Sequence, residues 1–440
     1  MIKYTAYLTL ILFAVFILSC CSSEKTITSL PYDPPGATIT TDKEITLQHY
    51  RTISFSNTGV FVSNEFEGAR LNDFYQANES TYTAIILPEN APINDSPWYL
   101  FKIWTANRQL INLNLTYKDG THRYRPKISY DGKHWLLYDS TKVFVDTTNN
   151  FARLKLNLTE NTLWISAQEV VTSNVYNDWL EKLSQNDFIS HTIAGKSSLG
   201  KPIYKMTIRE NENSDYLFII GRSHPPEVTG FFGLKSFVET ITGKTKTAIE
   251  FRKKYTTVVI PLVNPDGVDN GQWRHNSKGV DLNRDWIQFN QPEPRVVKNE
   301  VEKILSNPEN KVIFFIDFHS TTEDIFYTFS LESLMIDDLS EKRISKRKIG
   351  YNFVNHWLQN LQKKLPDYHV NIIDSLSKST SPTSDRWIMR EYDVPGFTYE
   401  VGDETDRRLI KRVAQTAAEE FMKNAPSLSS SSGQNRRGKN

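Results

Sequence analysis

The second half of the sequence alternates continuous apolar runs with segments of helical character. The apolar runs occupy residues 216–221, 256–263, 312–318 and 397–401. The helical segments that follow them occupy residues 228–240, 294–305, 349–364 and the stretch from about residue 406. Strands that are apolar throughout are buried on both faces, as in a sheet covered by helices. The pattern predicts an α/β fold with a mixed, mostly parallel sheet flanked by helices.

The first half has a different pattern. Short stretches between residues 45 and 167 resemble strands, and the stretch at 111–117 alternates apolar and polar side chains. Asp119-Gly120 and Asp131-Gly132 supply turns between them. Many short strands joined by polar turns predict an antiparallel β-sandwich. We place this domain at residues 43–175, the α/β domain at 176–425 and a disordered tail at 426–440.

The N-terminus has the features of an export signal. Lys3 precedes an apolar run from residue 4 to 18, which is followed by "SCCSS". The stretch ending at Cys20 resembles a bacterial lipoprotein signal, in which the cysteine carries the lipid after cleavage. We therefore expect a signal peptide at 1–19, a linker at 20–42 and an exported, membrane-anchored lipoprotein on the periplasmic face or cell surface. The alternative is an ordinary transmembrane anchor, for which the run is short.

The composition limits which partners and which metal ligands this chain can have. The formal net charge is +1 and no long run of Lys and Arg is present, so nucleic acid is not an expected partner. The only two cysteines are Cys20 and Cys21. The folded domains therefore contain no disulfide, and any metal site must use His, Asp or Glu.

Polar residues stand at or near the ends of all four apolar runs. His224 and Glu227 follow the first, a block at 264–286 follows the second, His319 closes the third and Glu400 lies near the end of the fourth. In open α/β sheets, ligands bind beyond the carboxyl ends of the strands. Two histidines and one glutamate form a ligand set used by catalytic zinc.

The remaining polar residues are of the types that hydrolysis of a peptide bond requires. Glu400 is a carboxylate in an apolar run, where it is either a general base or the structural partner of an arginine such as Arg274. Asn283 and Arg284 form a pair that could clamp a peptide's terminal carboxylate. A second arginine near the metal could stabilise a developing oxyanion.

The ordered set "HPPE", "NPDG", "WR", "DLNRDW", "HS" and "FTYEVG" resembles the zinc carboxypeptidases of the carboxypeptidase A type, over roughly residues 187–423. The 264–286 block and the front domain are most similar to the cytosolic carboxypeptidase subfamily. The resemblance implies one Zn²⁺ per chain and a peptide or protein C-terminus as substrate. It gives these roles by residue: His224, Glu227 and His319 as zinc ligands, Glu400 as catalytic base for a zinc-activated water, Arg274 at the scissile carbonyl, Asn283 and Arg284 at the terminal carboxylate, and Ser320 in the pocket wall.

Two positions depart from the family pattern. An ungapped count from Glu400 places the family's mobile tyrosine near Lys378, where the sequence has no tyrosine. The same count places Asp385 where the family sets pocket specificity, which favours a basic C-terminal residue. Arg386 is adjacent, and a shift of one residue would invert that preference.

Three functions remain in order of preference. The first is a zinc metallocarboxypeptidase that removes C-terminal residues. The second is a peptidoglycan (murein) peptide amidase or carboxypeptidase with the same catalytic groups, suggested by the export signal. The third is a non-catalytic lipoprotein that binds peptides or glycans, against which the intact set of site residues argues.

Overall fold

A computed structural model describes residues 44–335, 339–375 and 381–429. The expected signal peptide, linker and lipidation residue Cys20 lie outside the described residues. Within the described part of the chain, no helix combines the length and the apolar character needed to cross a bilayer.

The front domain is a sandwich of two sheets. The six-stranded sheet runs in the order β1-β2-β5-β11-β7-β8 and the five-stranded sheet in the order β3-β4-β6-β10-β9. The strands are β1 Thr52–Phe55, β2 Val60–Ser63, β3 Asp73–Asn78, β4 Thr81–Ile86, β5 Leu100–Thr105, β6 Gln109–Tyr117, β7 Lys127–Ser129, β8 Leu136–Leu137, β9 Val143–Asp146, β10 Phe151–Leu158 and β11 Leu163–Ser166.

The predicted sandwich is confirmed with one correction. All strand pairs are antiparallel except β4 and β6, which are parallel. The intervening strand β5 belongs to the other sheet, so the chain re-enters the five-stranded sheet in its original direction. The alternation predicted for residues 111–117 is present, because Ile111, Leu113 and Leu115 are buried.

The second domain contains an eight-stranded mixed sheet in the order β12-β13-β15-β14-β16-β19-β17-β18. Its central strands β15, β14, β16 and β19 are parallel, and its flanks include antiparallel pairs. The strands are β12 Ile189–Lys196, β13 Pro202–Ile208, β14 Asp215–Gly221, β15 Thr256–Ile260, β16 Lys311–Thr321, β17 Ile325–Phe329, β18 Ile372–Ser375 and β19 Gly396–Gly402.

Helices cover both faces of this sheet, as the apolar runs predict. They are α1 Ser173–Leu183, α2 Val228–Ile241, α3 Lys246–Lys254, α4 Pro265–Asp269, α5 Pro292–Leu305, α6 Leu331–Leu334, α7 Glu341–Lys364, α8 Ser384–Tyr392, α9 Arg407–Asn424 and α10 Pro426–Ser429. Helices α2, α7 and α9 contribute to one apolar core, and α5 and α8 contribute to the other.

Three element boundaries differ from the prediction. Strand β15 ends at Ile260 and not at residue 263, because Pro261 follows and cannot donate to the sheet. Strand β16 extends to Thr321, so His319 lies inside the strand and not after it. The predicted tail begins too early: residues 426–429 form α10, and Leu428 packs into the core.

Candidate metal and active site

Three side chains converge beyond the central strands. His224 lies three residues after β14, Glu227 precedes the first turn of α2, and His319 projects from β16. Their candidate ligand atoms all lie within 4.8 Å of one another, and all three residues are buried. The Nδ1 atoms of His224 and His319 are 2.7 Å and 2.8 Å from the Glu227 carboxylate oxygens.

A second layer of carboxylates orients the two imidazoles. Asp281 Oδ1 lies 2.9 Å from His224 Nε2, and Asp317 Oδ2 lies 2.9 Å from His319 Nε2. A carboxylate on the outer nitrogen fixes the ring orientation and leaves the inner nitrogen to face a metal. Burial alone would raise the pKa of Asp281, but Arg274 and His224 hold that pKa well below its ordinary value.

These residues fit one zinc ion. Two imidazole nitrogens and one carboxylate are a known catalytic zinc donor set. Without a cation, Glu227 is a buried carboxylate between two rings. Burial raises its pKa, and the opposing charges of His224 and His319 bring that pKa below the ordinary value. The site therefore favours the ionised carboxylate that a metal requires.

Glu400 lies beside this group. It projects from β19 in register with His319 on β16. Its Oε2 atom is buried, and among the described residues it has no hydrogen-bond partner. Burial and the charge of Glu227 raise the pKa of Glu400 to about 8, whereas a cation held at Glu227 would lower it. An unpaired carboxylate oxygen at the site is suited to accept a proton.

Arg274 is paired with Asp281 and not with Glu400. Its Nε donates to Asp281 Oδ2 at 2.7 Å, so its hydrogen-bonded carboxylate is Asp281, while its charge also lowers the pKa of Glu400. Asp281 lies in the same sequence block as Arg274 and was the nearer carboxylate along the chain. Asp281 thus connects Arg274 to the metal ligand His224.

Asn283 and Arg284 lie in a short 3-10 turn, Leu282–Arg284, after Asp281. Asp281 begins this turn by accepting the backbone N–H of Asn283 at 2.9 Å. The Arg284 guanidinium donates to the Asn283 carbonyl at 2.8 Å. The turn presents both side chains to the same cavity as Arg274.

Ser320, Asp385 and Arg386 complete the predicted set. The Ser320 hydroxyl accepts from Gly230 N at 2.7 Å, so it joins α2 to β16 as well as lining the cavity. Asp385 and Arg386 occupy the first turn of α8, and both line the cavity. The Asp385 carboxylate accepts from Thr383 Oγ1 at 2.5 Å, and the Arg386 guanidinium lies 5.6 Å from the Phe329 ring centre.

His319 contacts Glu227, and the other predicted residues of the metal and active site line one cavity of about 490 Å³. Several residues of the cavity lining were not predicted from the sequence. They include Asn94, Ser96 and Arg123 from the sandwich domain and Tyr327 from β17. Arg123 is held by Asp403, to which its Nε donates at 2.8 Å. No local motif marks these residues, because the chain brings them in from separate elements. Tyr327 places a phenol in the cavity, while the position expected for the family's tyrosine lies outside the described residues.

Residues 176–423 match the Peptidase_M14 family, described as zinc carboxypeptidase. The chain belongs to the zinc carboxypeptidase family. The resemblance predicted from the sequence is therefore confirmed, and so is zinc as the family's metal. The match begins within α1, so the sandwich domain lies outside it.

Sequence relatives include the cytosolic carboxypeptidases. Mouse cytosolic carboxypeptidase 6 is 29% identical over 154 residues, which covers 33% of this chain and 28% of that protein. An uncharacterised protein of Zymomonas mobilis, ZMO1242, is 22% identical over 268 residues, or 59% of this chain and 67% of that protein. The chain therefore spans only about a quarter of the mouse relative.

Solved structures extend the likeness to both domains. A metallo-carboxypeptidase from Burkholderia cenocepacia has a TM-score of 0.67 at 14% identity and covers 83% of this chain and 99% of its own. The Pseudomonas aeruginosa metallo-carboxypeptidase in complex with (2-guanidinoethylmercapto)succinic acid has the same score at 15% identity, with 83% and 99% covered. At these identities the likeness shows the fold: a sandwich joined to a carboxypeptidase domain.

Proposed function

We propose that this protein is a zinc-dependent carboxypeptidase that hydrolyses the last peptide bond of peptides or protein tails. The observation that carries the proposal is the convergence of three features. The His224, Glu227 and His319 group reaches the cavity through His224 and Glu227, and Glu400 with its unpaired carboxylate oxygen and the turn bearing Asn283 and Arg284 line the same cavity. Each group supplies something that this reaction needs.

The chemistry divides among the residues. When bound, zinc supplies Lewis acidity and lowers the pKa of a water molecule to about 7. Glu400 accepts the proton of the attacking water at its Oε2 and delivers it to the leaving amine. Arg274, held by Asp281, donates to the oxygen that becomes negative in the transition state.

Other residues of the cavity lining orient the substrate. Asn283 and Arg284 bind the terminal carboxylate, for which a guanidinium fork is well suited. Asp385 and Arg386 both line the cavity. We propose that they border the space for the terminal side chain and that the balance of their charges decides which C-terminal residue is preferred. Peptides that end in an amide lack the carboxylate and should therefore be poor substrates.

A peptide panel tests the function. Purified protein is assayed against peptides that differ only in the last residue, polyglutamyl peptides and muropeptides, with and without a zinc chelator. We expect chelator-sensitive release of one C-terminal amino acid. Glu400→Gln should retain zinc and lose about 10²- to 10⁴-fold in kcat. Absence of zinc in the purified protein, or full activity of Glu400→Gln, would contradict the proposal.

We also propose that the enzyme is exported and anchored by a lipid on Cys20. Support comes from the apolar run at 4–18 after Lys3 and from the cysteine that follows it. Metabolic labelling with a fatty acid should mark the wild-type chain and leave Cys20→Ser unmarked. Label retained by Cys20→Ser, or a wild-type chain that stays unlabelled, would refute lipidation.

A further inference from the structure

One buried carboxylate of the sandwich domain, that of Glu89, is hydrogen-bonded to the catalytic domain. Glu89 lies after β4 and is 1% exposed. Its Oε2 accepts the backbone N–H of Trp273 at 2.7 Å, and its Oε1 accepts those of Arg274 at 3.0 Å and His275 at 2.7 Å. A charged acceptor shared by successive backbone donors is a strong and directional anchor.

The anchored segment carries the arginine that we assign to the reacting carbonyl. Glu89 fixes the main chain of Arg274, and Asp281 fixes its side chain through the 2.7 Å bond to Nε. Arg274 is therefore held at its main chain and at its side chain, by two carboxylates from different domains. Without the bond to Glu89, Asp281 would be the only carboxylate among the described residues that is hydrogen-bonded to Arg274.

Other contacts hold the same segment against the sandwich. Gln48 donates to the carbonyl of Asn270 at 3.2 Å, and Asn90 donates to that of Gly279 at 3.2 Å. Gly120 lies so close to Trp273 that a Cβ there would be 2.5 Å from the indole ring. Glu89 differs from these contacts because it is charged and bonds directly to Arg274.

We propose that Glu89 is a positioning residue of the catalytic centre, through which the sandwich domain sets the place of Arg274. The inference rests on the proposed function, since it concerns the arginine of that reaction. A simpler role, in which Glu89 only joins the two domains, predicts lost stability with no specific link to Arg274.

A double-mutant cycle between Glu89 and Arg274 separates these roles. Glu89→Ala should lower kcat by about 10²-fold, the effect typical of a displaced catalytic group, and change KM little. In an Arg274→Ala background, the same substitution should lower kcat by less than about threefold, because the group that it positions is gone. Glu89→Gln keeps one acceptor oxygen and should give an intermediate loss, which also covers the case in which Glu89→Ala fails to fold.

The control is Thr105→Ala. Thr105 is a buried polar residue of the same domain whose hydroxyl donates to the Asn107 carbonyl and accepts from Gln109 Nε2, both within the sandwich. It should lower the melting temperature and leave kcat of the folded fraction unchanged.

The outcomes are distinct. Equal losses from Glu89→Ala in the wild-type and Arg274→Ala backgrounds, or unchanged kcat in both Glu89 variants, would overturn the positioning role while the proposed function stands. A wild-type protein inactive on every peptide would overturn the function itself, and the inference with it.

Discussion

At the scale of single residues, the carboxylates behind the histidines decide how well the metal group is ordered. Asp317 accepts from Ser384 Oγ at 2.5 Å and meets His319 Nε2 on the same oxygen. Asp317→Asn replaces one acceptor oxygen by an amide and removes the charge. We expect zinc affinity to fall by about 10- to 100-fold, as for other outer carboxylates of metal-bound histidines.

Competition with a chromophoric chelator measures this affinity without any assay of catalysis. The matched control is Asp285→Asn, since Asp285 is equally buried but accepts from the backbone of Asn290 and Gln291, away from the ligands. Equal affinities for wild type and Asp317→Asn would show that Asp317 does not orient His319.

His122 gives a pH dependence of stability that is independent of the metal. Burial lowers its pKa to about 4, from an ordinary value of about 6.5, and its ring meets the Tyr117 hydroxyl at 2.8 Å. Between these two pH values the unfolded chain binds more protons than the folded one. The contribution of His122 to stability is therefore full above about pH 6.5 and is lost as the pH falls towards 4.

His122→Gln keeps a polar partner for Tyr117 and does not titrate. Urea unfolding at pH 7 and pH 4 should show a smaller difference for the variant than for wild type, by on the order of 1–3 kcal/mol. His49→Gln, at an exposed position, serves as the control. A variant with the same pH dependence as wild type would refute this role for His122.

At the scale of elements, the close approach of α2 to β16 sets the spacing of Glu227 and His319. Gly230 lies in the first turn of α2, where an added Cβ would be 2.6 Å from the His319 carbonyl oxygen. Gly230→Ala should force the helix and strand apart, lowering the free energy of unfolding by about 1–3 kcal/mol and weakening zinc binding.

Gly233→Ala is the control one turn later. Its Cβ would meet the side chain of Val401 at 3.0 Å and not the backbone, so the neighbour can move. Chelator competition and urea unfolding of the two variants should differ clearly. Identical behaviour would mean that the helix–strand distance does not control the metal group.

The elements that the sequence predicted well are those buried on both faces. Strands β14, β16 and β19 and helix α2 have continuous apolar runs, and their ends carry the residues of the metal group and the base. Strands β12 and β13 were missed because they lie towards the sheet edge with mixed burial, so their sequences lack such runs. Periodicity reports burial and is weakest where burial is partial.

The site itself was predictable where its residues share a motif and not where they meet across the fold. His224 and Glu227 follow a recognisable strand and Glu400 lies within one. Arg123, in contrast, reaches the cavity from the sandwich, and Glu89 reaches the Arg274 loop. Such meetings depend on how two domains pack, which no local pattern encodes. The sequence left the carboxylate partner of Arg274 open for a related reason, since it does not show which of several carboxylates lies nearest to the guanidinium.

At the scale of the whole molecule, one of the apolar cores extends across both domains. Residues of the sandwich such as Phe101 belong to the same cluster as Trp273 and the helical residue Phe421. Polar contacts reinforce the junction, where Arg407 donates to both oxygens of Glu169 at 2.8 Å. A separate sandwich would therefore expose apolar surface that the intact molecule buries.

This continuity predicts that the chain unfolds in a single cooperative step. Calorimetry of the full chain should give one transition with equal calorimetric and van't Hoff enthalpies.

Trp273→Ala, at a fully buried position between the domains, should lower the free energy of unfolding by about 3–5 kcal/mol and shift that transition without splitting it. Phe144→Ala, at an exposed position, should shift it little. Two resolved transitions in the wild-type protein would mean that the sandwich is an independent folding unit. Unfolding of the sandwich would then break the hydrogen bonds between Glu89 and the Arg274 loop while the catalytic domain stays folded.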